Sequence, residues 1–265
     1  MNARASHARQ IAAAVIGNAL EWYDFVVFGF LTVIIAKLFF PQEQEYSALL
    51  LTTATFGVGF FMRPVGGVLL GMYADRHGRK AALQVIITLM TVAMALIVFA
   101  PLPAAIGIGA PLIIVLARLL QGFATGGEYA IATSFLVESA PAGRRGFYGS
   151  LQQMGLALAA LGGALAGMFV TLVLTPAQLE SWGWRLPFAI GLLIGPVGMW
   201  VRRHLDETPE FLDARAAAPQ RASLGGVLRT HLRGVLVAFG LTVCGTITYD
   251  VVLIYMATFA RTQLH

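Results

Sequence analysis

Runs of about 20 or more predominantly apolar residues, separated by short polar joints, fill this chain from Ile11 to Phe259. A soluble core of 265 residues could not hide them, because 58% of the residues are hydrophobic and only 12% are charged. In lipid, each run closes its own backbone hydrogen bonds as a helix. The reading is an all-α multi-pass membrane protein with seven spans, at roughly 11–40, 48–74, 82–100, 111–137, 147–174, 186–201 and 234–259. The first run is too long for a secretory signal, and Glu21, Trp22 and Asp24 interrupt it where a signal needs unbroken apolar sequence. It is a retained helix.

The single cysteine, Cys244, excludes an internal disulfide framework, and the scattered His7, His77, His204, His231 and His265 form no ligand cluster. No metal and no cofactor is expected beyond protons as a coupling ion. The net charge of +5 speaks of topology and not of nucleic acid. Arg4, Arg9, Arg76, Arg79, Lys80, Arg144, Arg145 and the arginines from Arg202 to Arg233 fall on one face, against Lys37, Arg185 and Arg261 on the other. That bias places the N-terminus inside, in the cytoplasm of a cell with a plasma (inner) membrane. The long charged joint sets the domain boundaries. Residues 1–201 read as a six-helix N-terminal half, 202–233 as a cytoplasmic central loop, and 234–265 as a seventh helix of an incomplete second half.

Ionisable residues inside spans cost at least a few kcal/mol in hydrocarbon, so they face protein or a wet cavity and are candidates for function. They are Glu21 and Asp24 in span 1, Arg63 in span 2, Arg118 and Glu128 in span 4, and Asp250 in span 7. Spans 1, 4 and 7 open successive triplets, the spacing that a three-plus-three inverted repeat gives. Mutual neutralisation as packing pairs is the structural alternative. Each buried arginine lies on a stripe of small residues, Gly59, Arg63, Gly67, Gly71 and Arg118, Gly122, Gly126, which presents a helix to a close neighbour and not to lipid. Gly155, Ala159, Gly163 and Gly167 form a third stripe with no charge, assigned to packing. Asn18, Glu21 and Asp24, three residues apart, share a broad polar face with Tyr23 beside it. Glu21, Asp24, Glu128 and Asp250 are candidate proton carriers, and Arg63 and Arg118 suit bidentate capture of a carboxylate.

The joint after span 2, Gly71-Met-Tyr-Ala-Asp75-Arg76-His77-Gly78-Arg79-Lys80, and the span 4 segment Arg118-Leu-Leu-Gln121-Gly122-Phe-Ala-Thr-Gly126-Gly127-Glu128 together resemble signature segments of the major facilitator superfamily. Gly17-Asn18-Ala-Leu-Glu21-Trp22-Tyr23-Asp24-Phe25, Phe61-Met-Arg63-Pro64, Gly146-Phe-Tyr148-Gly-Ser-Leu-Gln152-Gln153, Trp182-Gly-Trp184-Arg185 and Arg202-Arg203-His-Leu-Asp206-Glu207-Thr208-Pro209 resemble its metabolite:proton symporter branch. That branch includes carriers of citrate, 2-oxoglutarate, shikimate, proline and betaine. The resemblance implies a twelve-helix fold of two six-helix halves, of which this sequence supplies the first half and helix 7, as a chain truncated after that helix. It implies a cytoplasmic gate from Gly71, Asp75, Arg76, His77, Gly78, Arg79 and Lys80, and a proton-coupling role for Arg118. Asn18, Tyr23, Arg63, Arg118 and Gln121 are the substrate-binding candidates. Glu21, Asp24, Arg118, Glu128 and Asp250 are the proton-coupling candidates.

The expected function is proton-coupled symport of a small di- or tricarboxylate by alternating access. Osmolyte (proline or betaine) symport and a non-transporting fragment of such a carrier are the alternatives. The expected partners are a small-molecule substrate, the lipid bilayer, and a missing second half or a second copy that completes the fold, with no nucleic acid. A seven-helix retinal protein needs a lysine in its last helix, and the only lysines are Lys37 and Lys80. An enzyme is not expected, since no His-Glu-x-x-His, Gly-x-Ser-x-Gly or phosphate-loop motif is present.

Overall fold

The computed structural model describes residues 3–40, 45–203 and 224–250, and the elements among them are helical. In order they are α1 (Ala3–Phe39), α2 (Glu45–His77), α3 (Arg79–Val98), the single turn α4 (Pro103–Ile106), α5 (Gly109–Glu138), α6 (Arg145–Val173), the short turn α7 (Pro176–Gln178) leading into a π-helical turn (Leu179–Gly183), α8 (Arg185–Arg203) and α9 (Leu224–Asp250). Among the described residues, five stretches are long and apolar enough to cross a membrane: Trp22–Phe39, Leu50–His77, Arg79–Val98, Gly109–Glu138 and Arg145–Val173. The chain divides into two compact units, Met1–Ala214 and Arg215–His265.

The described part of the second unit is α9, which begins before the seventh span expected from residue 234. The chain is helical from Leu224, and the helix axis breaks at His231 (φ −123°, ψ 23°). Leucines at 224, 228 and 232 have the spacing of one helical face, so helix extends beyond the strongly apolar run that marks the span. Residues 204–223, and 251–259 of the expected seventh span, lie outside the described residues.

Within the first unit, one residue separates α2 from α3. Gly78 takes φ 99°, a left-handed conformation that costs glycine little, and it donates its N–H to Ala74 O at 2.9 Å. Two long helices can then reverse direction with no loop between them.

The closest helix pair is α2 against α5, and its contact is backbone on backbone. A Cβ placed on Gly66 would stand 1.8 Å from Phe123 O, one on Gly122 would stand 1.9 Å from Gly59 O, and one on Gly126 would stand 2.0 Å from Arg63 O. These separations leave no room for any side chain, the geometry that small residues permit when lipid supplies no hydrophobic drive. The two arginine stripes thus face each other. Gly71 departs from that expectation, with nothing within 4 Å of its Cβ position. Gly66, off the stripe, makes the tightest approach. The third stripe lies on α1: Gly155 meets Val15 O, Gly163 meets Val26 and Gly167 meets Phe30.

Two apolar clusters fill the unit. One gathers Val27, Phe28, Leu31, Ile35 and Phe39 of α1 with Ile97, Ile114, Trp184 and Phe188. The other gathers Val15, Leu70, Leu83, Ile86, Met90, Ile131 and Phe135. Between them on α1 and α5 lie buried polar residues, Asn18, Asp24, Arg118, Gln121, Thr125 and Glu128. At the end nearest the first cluster, Arg185 closes the C-terminus of α3, its Nε donating to Val98 O (3.0 Å) and its Nη2 to Ala100 O (2.9 Å). A cation there also meets the negative end of the helix dipole. Lys37 pairs with Glu180 nearby.

Gly122→Leu should therefore force α2 and α5 apart and lower the thermal midpoint of the detergent-solubilised protein by an overpacking cost of at least about 1–3 kcal/mol. Gly71→Ala should leave the midpoint unchanged or raise it slightly, since helix propensity favours alanine by up to about 1 kcal/mol. Equal midpoints for the two variants would contradict the packing described.

Candidate functional site

The buried polar residues of α5 recur as Arg118, Gln121, Thr125 and Glu128, steps of three and four that hold them on one helical face. The first turn of that face meets α1. There Asp24, wholly inaccessible, accepts a hydrogen bond from Arg118 Nη2 to its Oδ2 at 2.9 Å, and Arg118 is only 1% exposed. The guanidinium also lies over the Phe28 ring at 4.1 Å and the Phe25 ring at 5.8 Å. A buried ion pair repays its desolvation only when its other donors and acceptors are also bonded. Here Asp24 Oδ1 and Arg118 Nε and Nη1 have no hydrogen-bond partner among the described residues. Neither does either amide atom of the fully buried Gln121, one turn further along α5. The pair and Gln121 together hold a concentrated surplus of hydrogen-bonding capacity at mid-depth.

Arg63 enters from α2 and stacks in a box of rings, its guanidinium 4.1 Å from the Phe60 centroid, 4.8 Å from Phe25 and 5.2 Å from Trp22. Phe25 is shared, with Arg63 and Arg118 both within cation–π range of its one ring.

The other candidates separate. Tyr23 donates its hydroxyl to Pro187 O at 3.0 Å, which ties α1 to the start of α8. Asn18 donates its amide to Gln152 O at 3.0 Å and so ties α1 to α6. Glu128 is fully buried on the polar face of α5, about two turns beyond Gln121. The Glu21 and Asp250 side chains lie outside the described residues, so those two expectations receive no structural account.

At the joint between α2 and α3, Arg79 bonds Asp75 Oδ1 at 2.6 Å across Gly78, and reaches Glu138 Oε1 at 3.5 Å. Glu138, the last residue of α5, was not signalled by the sequence: it stands alone among apolar and small residues, and only the packing of α5 brings it to Arg79. His77 stacks on Tyr73 at 4.3 Å and directs Nδ1 at Tyr73 O, 3.2 Å away. Arg76 is exposed, and Lys80 is partly buried. Gln152 is a second omission. Its Nε2 donates to Tyr129 O at 3.2 Å and its Oε1 meets the Thr133 hydroxyl, so it clamps α6 to α5 beside Glu128. The glutamine pair at 152 and 153 was its only trace in the sequence.

Residues 10–224 match the family model described as sugar (and other) transporter. The α-ketoglutarate permease of Escherichia coli is 38% identical over 250 residues, 93% of this chain and 56% of that protein. The citrate-proton symporter of Klebsiella pneumoniae is 38% identical over 248 residues, 94% of this chain and 56% of that one. The proline/betaine transporter of Salmonella typhimurium is 34% identical over 267 residues, 97% of this chain and 53% of that one. The chain thus spans about half the length of these relatives. Among solved structures, a proton:xylose symporter of the major facilitator superfamily superposes with a TM-score of 0.72 at 20% identity, over 81% of this chain and 48% of the symporter. An all-helical unit with that fold and a family match over most of its length leaves one assignment: this chain is a multi-pass membrane protein of the sugar (and other) transporter family.

Proposed function

We propose that this chain forms the proton-coupled half-site of a symporter that carries a small di- or tricarboxylate inward across the inner membrane, with its N-terminus in the cytoplasm. The observation that supports this reading above others is the Asp24–Arg118 pair, buried, in contact, and left with unused donors and an unused acceptor. When Asp24 is ionised, its charge holds the Arg118 guanidinium. A proton on Asp24 removes that charge, and the guanidinium can turn its planar fork to a substrate carboxylate. Release of the substrate lets Asp24 lose its proton and recapture Arg118. Substrate and proton then bind together or leave together, which is the content of symport. Arg63 on α2 offers a second guanidinium across the Phe25 ring, suited to a second carboxylate. Gln121 contributes an amide to the same substrate.

At the cytoplasmic end, Asp75, Arg79 and Glu138 act as a gate whose exposed member, Asp75, makes a contact weak enough to break in each cycle. Alternating access rocks one half against another around a midplane site, so transport requires a second six-helix half, supplied by further chain or by a second copy. The similarity to the proline/betaine transporter supports the runner-up reading, a proton-coupled osmolyte carrier.

Uptake of labelled citrate, 2-oxoglutarate and proline into cells that express this chain, alone and joined to a family-type second half, tests the reading. Acid uptake that stops on adding a proton uncoupler is the expected result. Proline uptake stimulated by hypertonic shock, with no acid uptake, would establish the osmolyte reading in its place. Arg118→Gln should abolish acid uptake, because it leaves the buried Asp24 charge without its partner, a loss worth about 3–5 kcal/mol at such sites. Asp24→Asn should retain acid exchange between preloaded vesicles and medium yet lose uphill accumulation and its dependence on pH. Uphill accumulation by Asp24→Asn at the rate of the unaltered chain would move the coupling carboxylate elsewhere.

A further inference from the structure

Buried polar groups cross-link α1 and α5 at two levels. The first link is Asp24 on Arg118. The second is a knot around Gln152 of α6, whose backbone carbonyl accepts from Asn18 Nδ2 of α1 at 3.0 Å and whose Nε2 donates to Tyr129 O of α5 at 3.2 Å. Its Oε1 accepts from the Thr133 hydroxyl. Between the two links α5 advances about 15 Å, from Arg118 to Glu128, the residue before Tyr129. Gln121 and Glu128 project from one side of it, since seven residues make two turns.

The side chains between these levels hold hydrogen-bonding capacity that the protein does not use. Asp24 Oδ1, Arg118 Nε and Nη1, both amide atoms of Gln121, and Asn18 Oδ1 have no partner among the described residues, and each belongs to a side chain no more than 1% exposed. Internal water is what satisfies buried polar atoms of this kind, with several bonds to each molecule. The order of the groups also orients it. An acceptor carboxylate, a donor guanidinium, an amide that does both and a second acceptor let successive waters accept from one neighbour and donate to the next. Asp24 and Glu128 are both inaccessible within this unit alone, so a proton reaches either of them through its interior.

We infer that this row holds a file of water joining Asp24 to Glu128, and that Glu128 is the relay carboxylate that receives the proton Asp24 gives up. In the transfer the Asp24 O–H bond breaks as a water O–H bond forms, each water passes one proton on, and the Glu128 carboxylate gains the last. One negative charge moves from Glu128 to Asp24, and nothing else is consumed. Glu128 then yields the proton to solvent at the Arg79–Glu138 end of α5, cytoplasmic on the reading above. The cations at the Asp24 end are Arg118 and, across the Phe25 ring, Arg63, so the order of charge draws a proton toward Glu128. Gln121 and Asn18 are positioning residues that orient water and do not ionise. The role of Asp24 rests on the symport reading, whereas the row of buried atoms does not.

The test follows protons and needs no substrate. The full chain in lipid nanodiscs is taken through a rapid upward pH jump, and Asp24 is followed by the infrared carboxyl band that vanishes in Asp24→Asn. Glu128→Gln should slow the loss of that band by about tenfold or more and leave the midpoint of its pH titration in place, because a relay alters the rate of proton transfer and not its end point. Glu128→Asp should keep most of the rate. A purely structural role for Glu128 would instead move the midpoint or the thermal stability. Gln121→Met, which conserves volume and removes the amide, should slow the band in the same way, and it serves if Glu128→Gln does not fold. Equal rates in the unaltered chain and in a folded Glu128→Gln overturn the relay. An Asp24 band that never titrates overturns both the relay and the coupling role of Asp24. A slowed band in Glu128→Gln, with no acid uptake by the chain joined to a family-type second half, keeps the relay and removes the acid reading. Uncoupler-sensitive acid uptake with an unchanged band rate does the reverse.

Discussion

The position of both mid-span arginines, Arg63 and Arg118, is fixed by main chain and not by side chains. The carbonyl of Arg63 sits where a Cβ on Gly126 would be, and the carbonyl of Arg118 lies 3.1 Å from the Cβ position of Gly59. Each arginine's own peptide group is thus seated on a glycine of the opposite helix. Side chains at a helix interface can change rotamer, but two backbones in contact cannot slide without separating the helices. The two guanidinium groups therefore start from anchor points as stiff as the helices themselves. A site built on regular elements and held by close packing keeps its geometry better than one carried on loops.

On that frame the polar groups at mid-depth are expensive, and the surrounding rings reduce the expense. Arg118 has Phe28 and Phe25 against its guanidinium, and Arg63 has Phe60, Phe25 and Trp22. An arginine stacked on aromatic faces tolerates low dielectric better than a lysine would, because its charge is delocalised and weakly hydrated. The apolar clusters on either side seal the layer, so that the field of Asp24 acts on Arg118 with little screening from solvent. A proton added to that carboxylate is felt across the ion pair far more strongly than it would be at a surface.

How much of this was legible before the structure differs from residue to residue, for physical reasons. Apolar run lengths marked the helices, and small-residue stripes marked which faces touch, because both are periodic along one chain. The cost of burying charge singled out Asp24, Arg63 and Arg118. What periodicity cannot supply is the register between helices. Asn18 and Tyr23 share a polar face in sequence, and only the register shows that each also donates to a backbone carbonyl, Gln152 O and Pro187 O, while Asn18 Oδ1 keeps its acceptor capacity. Gly66 and Glu138 carry contacts that depend on the depth at which α2 meets α5, and the aromatic box needs α1 and α2 aligned to within a residue. A phenylalanine in an apolar run has no sequence signature that separates a ring stacked on a guanidinium from a lipid-facing side chain.

The several bonds of α1 also bear on how a proton could alter the shape of the unit. Asn18 ties α1 to α6, Tyr23 ties it to α8, and Asp24 ties it to α5. The first two use an amide and a phenol that donate to backbone carbonyls, bonds that do not depend on a carboxylate's charge. Only the third does. On the proposed mechanism, protonation of Asp24 therefore weakens one of these three attachments and leaves the other two intact, so α1 loosens from α5 while it stays fastened to α6 and α8. A change confined to one side of one helix is a small, directed displacement and not a loss of structure. Small displacements at packed interfaces are what switch such interfaces between discrete arrangements, because close-packed surfaces do not deform continuously.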